Sequence, residues 1–80
     1  MKSIILSAAE MAELMQPTVG QGGFQSLLQH LQGKLDQNTG QIDLTDEDRG
    51  KICRYAFDYG NGGWENQLKA IFGHHLGEMN

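Results

Sequence analysis

Three histidines and one cysteine are the residues best suited to metal or nucleophilic chemistry in this chain: His30, His74, His75 and Cys53. Their donor atoms suit a zinc site, but their spacing does not. Neighbouring residues on a helix point about 100° apart, so His74 and His75 cannot readily share an ion. No HxxxH or CxxC pair occurs. The histidines therefore read as solvated or helix-C-terminal side chains, which the helix dipole favours when protonated. A nucleophilic Cys53 would need a histidine base and an oxyanion site. It falls instead on the apolar side of its helix, where an inert buried thiol is the ordinary outcome. No pattern asks for a metal or another cofactor.

Two glycine clusters come next, Gly20-Gln21-Gly22-Gly23-Phe24 and Gly60-Asn61-Gly62-Gly63-Trp64. Each reads glycine, amide, glycine, glycine, aromatic, and each opens an amphipathic stretch. Free amides at a helix N-terminus can bind an anion. Neither cluster has the lysine and Ser/Thr of a P-loop, or the GxGxxG spacing of a dinucleotide site. Their expected role is structural: glycines let paired helices turn sharply and approach closely, while Phe24 and Trp64 anchor in the core.

The segment Arg54-Tyr55-Ala56-Phe57-Asp58-Tyr59 carries the most information. Three aromatics in five residues of one helix cannot all face one core, so Tyr55 or Phe57 is left at or near the surface. An exposed aromatic beside Arg54 and Asp58 has the composition of a protein–protein hot spot. It equally suits covering the edge of a thin core, or stacking on RNA. The acidic run Asp43, Asp46, Glu47 and Asp48 serves helix capping, and four carboxylates are too few to mimic a nucleic acid.

These residues need elements to hold them. Ser7-Ala8-Ala9-Glu10 and Thr45-Asp46-Glu47-Asp48 are two capping boxes, each a hydroxyl followed three residues later by an acid. Leu6 can staple onto Met11. A first helix is expected over about Ala8–Gln16, with Met11, Leu14 and Met15 inward, stopped by Pro17. A second spans about Gly23–Asp36, with Phe24, Leu27, Leu28, Leu31 and Leu35 on one stripe and Gln25, Gln29, Gln32 and Lys34 on the other face. Asp36 to Gly40 is turn chemistry. A third runs over about Asp46–Tyr59, burying Ile52, Cys53, Ala56 and Tyr59, with its acids complementing the helix dipole. A fourth runs over about Gly63–Leu76, with Trp64, Leu68, Ile71, Phe72 and His75 or Leu76 inward. Gly77 is a C-terminal stop.

The order repeats. Gln41-Ile42-Asp43-Leu44 matches Ser3-Ile4-Ile5-Leu6, the caps match at an offset of 38 residues, and the glycine clusters match at 40. The fold class is therefore mostly α: one domain over 1–80, with four helices as two duplicated helix–glycine loop–helix units. The halves span about 3–36 and 41–77 and should pack with pseudo-two-fold symmetry. The segments 3–6 and 41–44 allow a minimal two-stranded ribbon, although only Ile42-Asp43-Leu44 alternates.

Arg54 to Glu65, with Gly22-Gly23-Phe24-Gln25 upstream, resembles small uncharacterised bacterial proteins of phages and other mobile elements. The resemblance covers most of the chain from Gly20 onward. It implies a small accessory or inhibitor protein in a bacterial cytoplasm, and it carries no activity or site residues with it.

Composition narrows the classes. Acidic residues outnumber basic ones ten to six, for a formal charge of −4, which disfavours nonspecific DNA binding. Hydrophobic residues at 39% and charged residues at 20% suit a folded chain. The triplet Ile4-Ile5-Leu6 is far short of a signal-peptide core, and no apolar run approaches the roughly 18 residues of a membrane span. A single cysteine excludes an internal disulfide. The expected function is a small non-enzymatic protein-binding module acting in the cytoplasm as a regulator, inhibitor or accessory subunit, with a homodimer allowed. Its interface would comprise Arg54, Tyr55, Phe57, Asp58, Asn61, Gly62 and Gly63. The alternative is a nucleic-acid-binding module that contacts phosphates through the helix N-termini at Gly22-Gly23 and Gly62-Gly63. An enzyme is the third class: acids, bases and nucleophiles are few and poorly spaced, and so short a chain leaves little room for a pocket.

Overall fold

Two hydroxyl residues start two of the helices. In the computed structural model, which describes residues 1–17, 22–58, 60 and 62–75, Ser7 Oγ accepts the Glu10 amide at 3.1 Å and Thr45 Oγ1 accepts the Asp48 amide at 3.1 Å. Each acid answers through its carboxylate, Glu10 Oε1 to the Ser7 amide at 2.7 Å and Asp48 Oδ2 to the Thr45 amide at 3.0 Å. Both capping boxes are thus complete, and each satisfies amides that a helix start otherwise leaves without partners.

Helix α1 covers Ala8–Leu14, α2 Gly23–Lys34, α3 Asp46–Phe57 and α4 Gly62–Phe72, followed by a 3₁₀ turn over Gly73–His75. Strands β1 (Lys2–Ile5) and β2 (Gln41–Leu44) pair antiparallel, Ile4 opposite Ile42 and Ser3 opposite Asp43. The fold is mostly α with a small two-stranded sheet. The sheet is present even though Ile4-Ile5-Leu6 lacks polar alternation. Burial supplies the alternation instead: Ile4 and Leu6 are buried and Ile5 faces out.

Each helix ends where its backbone partners run out. The first helix stops short of Gln16, and the last-turn carbonyl of Leu14 accepts the Gln32 side-chain amide at 2.9 Å, with Gln16 O accepting it at 3.1 Å. This side chain from the polar face of α2 holds the end of α1. Pro17 follows as the sequence expects. Met15, expected inward, is exposed because the chain has already left the helix at that point. Helix α3 ends at Phe57, before Tyr59, which lies outside the described residues. Helix α4 tightens into the 3₁₀ turn, and the expected extension to Leu76 lies outside the described residues.

One apolar cluster unites the four helices and both strands. It contains Ile4, Leu6, Leu14, Phe24, Leu27, Leu28, Leu31, Leu35, Ile42, Leu44, Ile52, Ala56, Leu68, Ile71 and Phe72. The α2 stripe is buried as its spacing dictates, and α4 buries Leu68, Ile71 and Phe72. Cys53 is only half-buried, since the α3 stripe centres on Ile52 and Ala56 and leaves the thiol at its edge. No helix among the described residues is long and apolar enough to cross a membrane.

The link from α2 to β2 sets the strand register. Gly40 donates to Asp36 O at 2.7 Å, Asn38 donates to Asp36 Oδ1 at 2.9 Å, and Leu6 donates to Gly40 O at 2.8 Å. Gly40 has φ +80°, and a Cβ there would lie 2.5 Å from the Leu6 carbonyl oxygen. Gly40→Ala is therefore expected to cost about 1–3 kcal/mol of stability. Gly50, in the middle of α3, has nothing within 4 Å of a built Cβ. Gly50→Ala should stabilise by about 0.5–1 kcal/mol. Urea denaturation of both variants checks the opposite signs.

Candidate functional site

Three of the chain's large rings meet where the two glycine clusters lead into their helices. Phe24 and Trp64 stack, centroids 5.1 Å apart and planes inclined by 18°. Tyr55 approaches both, 5.8 Å from Phe24 and 5.3 Å edge-on from Trp64. Tyr55 is half-buried, and the ambiguity between Tyr55 and Phe57 resolves: Tyr55 turns toward the aromatic cluster and Phe57 outward, at 53% exposure. Of the two, Phe57 is the more exposed, while Tyr55 keeps only part of its ring at the surface. A Cβ on Gly23 would collide with the Tyr55 hydroxyl, so close approach is the role of that glycine. Gly22 donates its amide to Gln25 Oε1 at 3.1 Å, which occupies one donor that a phosphate would need.

Phe57 stands on the outer side of α3. Arg54, one turn earlier, is exposed, as is Asp58, whose amide donates to Arg54 O at 2.8 Å and closes the helix. Lys69 of α4 places its ammonium 5.4 Å from the centre of the Phe57 ring, a cation–π contact. Gly62 and Gly63 are exposed in the first turn of α4. Asn61 lies outside the described residues. Of the sequence-predicted set, Arg54, Phe57 and Asp58 therefore share the end of one helix, and Lys69, which sequence reasoning did not single out, touches the Phe57 ring. Its only signal was a lysine on the polar side of the fourth helix, and that does not identify a contact.

The acidic run is largely matched by cations. Asp46 pairs with Arg49 and Glu47 with Lys51 at 3.2 Å. Asp43 accepts from Ser3 Oγ at 2.5 Å and Gln41 Nε2 at 3.0 Å, and these bonds hold its carboxyl below the usual range. Asp48 is buried and pairs with Lys34 of α2, while its other oxygen sits 3.1 Å from His30 Nε2. Burial alone would raise the Asp48 pKa. The Lys34 ammonium and the Thr45 amide and hydroxyl outweigh it and hold the carboxyl at about 2. These residues, with Glu47 and Lys51, line an open cleft of about 450 Å³. Its charges answer one another across the α2–α3 boundary, so the arrangement joins two helices.

Glu10 plays the matching part at α1. It is buried, with His75 Nε2 at 3.2 Å and His74 Nδ1 at 3.7 Å. Burial raises its pKa, but the Ser7 amide and His75 more than compensate, so the net shift is downward. The histidine pair, read from sequence as solvated or helix-C-terminal, lies in the 3₁₀ turn that ends α4 and shares a carboxylate there; His75 is half-buried while His74 stays exposed. Among the described residues no group of three His, Cys, Asp or Glu side chains is arranged to hold a metal ion.

A carboxyl whose folded pKa is depressed contributes stability that is fully present above its unfolded pKa and is lost as pH falls through the folded value. For Asp48 that window runs from the ordinary aspartate value of 3.8 down to about 2. Unfolding free energy should therefore fall across this range, Asp48 accounting for about 2 kcal/mol. Asp48→Asn should be less stable than wild type at pH 7, and the gap should narrow by roughly that amount at pH 2. Denaturant midpoints at pH 7, 4 and 2 check this.

Neither a protein-family model nor a curated protein nor a solved structure matches the chain, so a functional reading rests on its own residues.

Proposed function

We propose that this chain is a small non-enzymatic protein-binding module, a regulator, inhibitor or accessory subunit of a bacterial mobile element, acting in the cytoplasm. The observation that carries the reading is Phe57, a large apolar ring left 53% exposed while Phe24, Tyr55 and Trp64 cluster together. Leaving an aromatic in water forgoes the stabilisation of burying it, about 1.5–3 kcal/mol, and burial against a partner recovers it. Arg54 and Lys69 beside the ring supply the polar surround that such anchors have at interfaces. The reading keeps the two halves as copies of one unit. Its support is that each capping carboxylate is held by basic side chains from the opposite half, Glu10 by His74 and His75, Asp48 by His30 and Lys34.

Phosphate binding at the helix N-termini has less support. The Gly22 amide is engaged by Gln25, and Lys34, Arg49 and Lys51 pair with the chain's own carboxylates.

Wild-type, Phe57→Ser and Tyr55→Phe chains, immobilised as baits in a bacterial lysate and read by quantitative mass spectrometry, test the proposal. A partner held by wild type should be lost by about tenfold or more on Phe57→Ser, the scale of a hot-spot truncation, and kept on Tyr55→Phe. The same proteins bound equally by Phe57→Ser and wild type, with circular dichroism showing both folded, would refute it. A mass that doubles with concentration in wild type and not in Phe57→Ser would identify a second copy as the partner.

A further inference from the structure

We infer that the segment received by the Phe57 face is acidic, presenting carboxylates to Arg54 and Lys69 around an apolar side chain that meets the ring. The inference rests on the protein-binding reading and adds the chemistry of the partner. Its starting point is the use this chain makes of its cations. Lys34, Arg49 and Lys51 each pair with a carboxylate of the chain itself, Asp48, Asp46 and Glu47 in turn. Lys2, Arg54 and Lys69 pair with no carboxylate among the described residues; Lys2 lies on β1, whereas Lys69 reaches the Phe57 ring and Arg54 precedes that ring by one turn of α3.

Their setting makes the pair distinctive. The chain carries a net charge of −4, so two cations flanking an exposed aromatic oppose the sign of the molecule as a whole. Arg54 lies one helical turn before Phe57 and projects on the same side. Lys69 reaches the ring from the neighbouring helix and keeps its ammonium 5.4 Å from the ring centre. Asp58 and the carbonyl end of α3 bound this area with negative charge, which confines an approaching carboxylate to the Arg54–Lys69 side. A basic segment would meet two like charges there, and like-charge juxtaposition suppresses wrong partners. A nucleic acid would find only two cations, and its affinity scales with the number of phosphates neutralised.

Zero-length carbodiimide coupling tests the chemistry directly, because it joins a lysine ammonium only to a carboxylate in contact with it. Wild type, Phe57→Ser, the charge reversal Arg54→Glu/Lys69→Glu and the charge-preserving Arg54→Lys/Lys69→Arg are used as full-length baits, and wild-type complexes are coupled and sequenced. The expected result is an amide bond from Lys69 Nζ to an aspartate or glutamate of the captured protein. Capture should fall about tenfold or more on the reversal, persist on the charge-preserving variant, and weaken from 0.1 to 0.5 M salt. If capture is lost on Phe57→Ser but survives the charge reversal, or coupling runs only from Asp58 or Glu65 to partner lysines, the acidic-segment inference is overturned while the protein-binding reading stands. Capture unaffected by Phe57→Ser removes both. Capture abolished by nuclease assigns the face to nucleic acid and overturns the inference as well.

Discussion

The carboxylate of Asp48 is the constraint on which much of the structure depends. A buried carboxylate is costly unless its oxygens are bonded and its charge is paired. Here one oxygen accepts the Thr45 amide and meets Lys34, and the other meets His30. The first bond fixes where α3 begins. The others fix where the end of α2 lies against it. The same side chain is therefore a local cap and a long-range link, and neither job can shift without disturbing the other. Glu10 repeats the arrangement, capping α1 through Ser7 and holding the turn after α4 through His74 and His75. The ribbon precedes both capping boxes and, being antiparallel, sends α1 and α3 away from its opposite ends.

With the helix starts pinned this way, the aromatic side chains divide into two groups. Phe24 and Trp64 follow the glycine clusters directly, and the absence of a Cβ at Gly23 lets Tyr55 close over them. Ile52 and Ala56 define the buried stripe of α3. Tyr55, adjacent to Ala56 on one side, turns toward the cluster; Phe57, adjacent on the other, rotates about 100° away from the stripe and into solvent. Its exposure thus follows from where the core of α3 lies, and the contact with Lys69 offsets part of the lost burial. The surface proposed for binding is a by-product of the same packing that closes the core.

Much of this was legible in the chain. The two capping boxes were readable because hydroxyl and acid sit three residues apart and bond within one turn. The α2 stripe followed from apolar spacing, and the Asp36–Gly40 turn from its polar residues and glycine. The sheet was only permitted by the pattern, since Ile5 is as apolar as Ile4 and nothing local says that one faces out. Helix ends were read two residues long at Gln16 and Asp36, because backbone groups there find partners from elsewhere: the Gln32 side chain donates to the Leu14 and Gln16 carbonyls, and the Asp36 amide donates to the Gln41 carbonyl. Arg54, Phe57 and Asp58 are neighbours at the end of one helix, which local spacing alone conveys. The turn of Tyr55 toward Phe24 and Trp64, and the reach of Lys69 to Phe57, cross between helices and left no local signal.

What the sequence determined by itself was whatever depends on residues within a turn or two of each other: caps, the stop at Pro17, the connecting turn and the inward stripes. These rest on fixed helical geometry and need no knowledge of neighbours. Tertiary structure alone decided which of two adjacent aromatics faces water, that Lys34 of α2 is consumed by Asp48 of α3, and that two histidines share Glu10. Each of those outcomes depends on the distance between side chains far apart along the chain, and that distance is set only when the helices pack. The missing partners of Arg54 and Lys69 belong to the same category. A list of charges shows an acidic chain; only the packed helices show that Lys34 is taken up by Asp48 and that Lys69 reaches the exposed Phe57 ring.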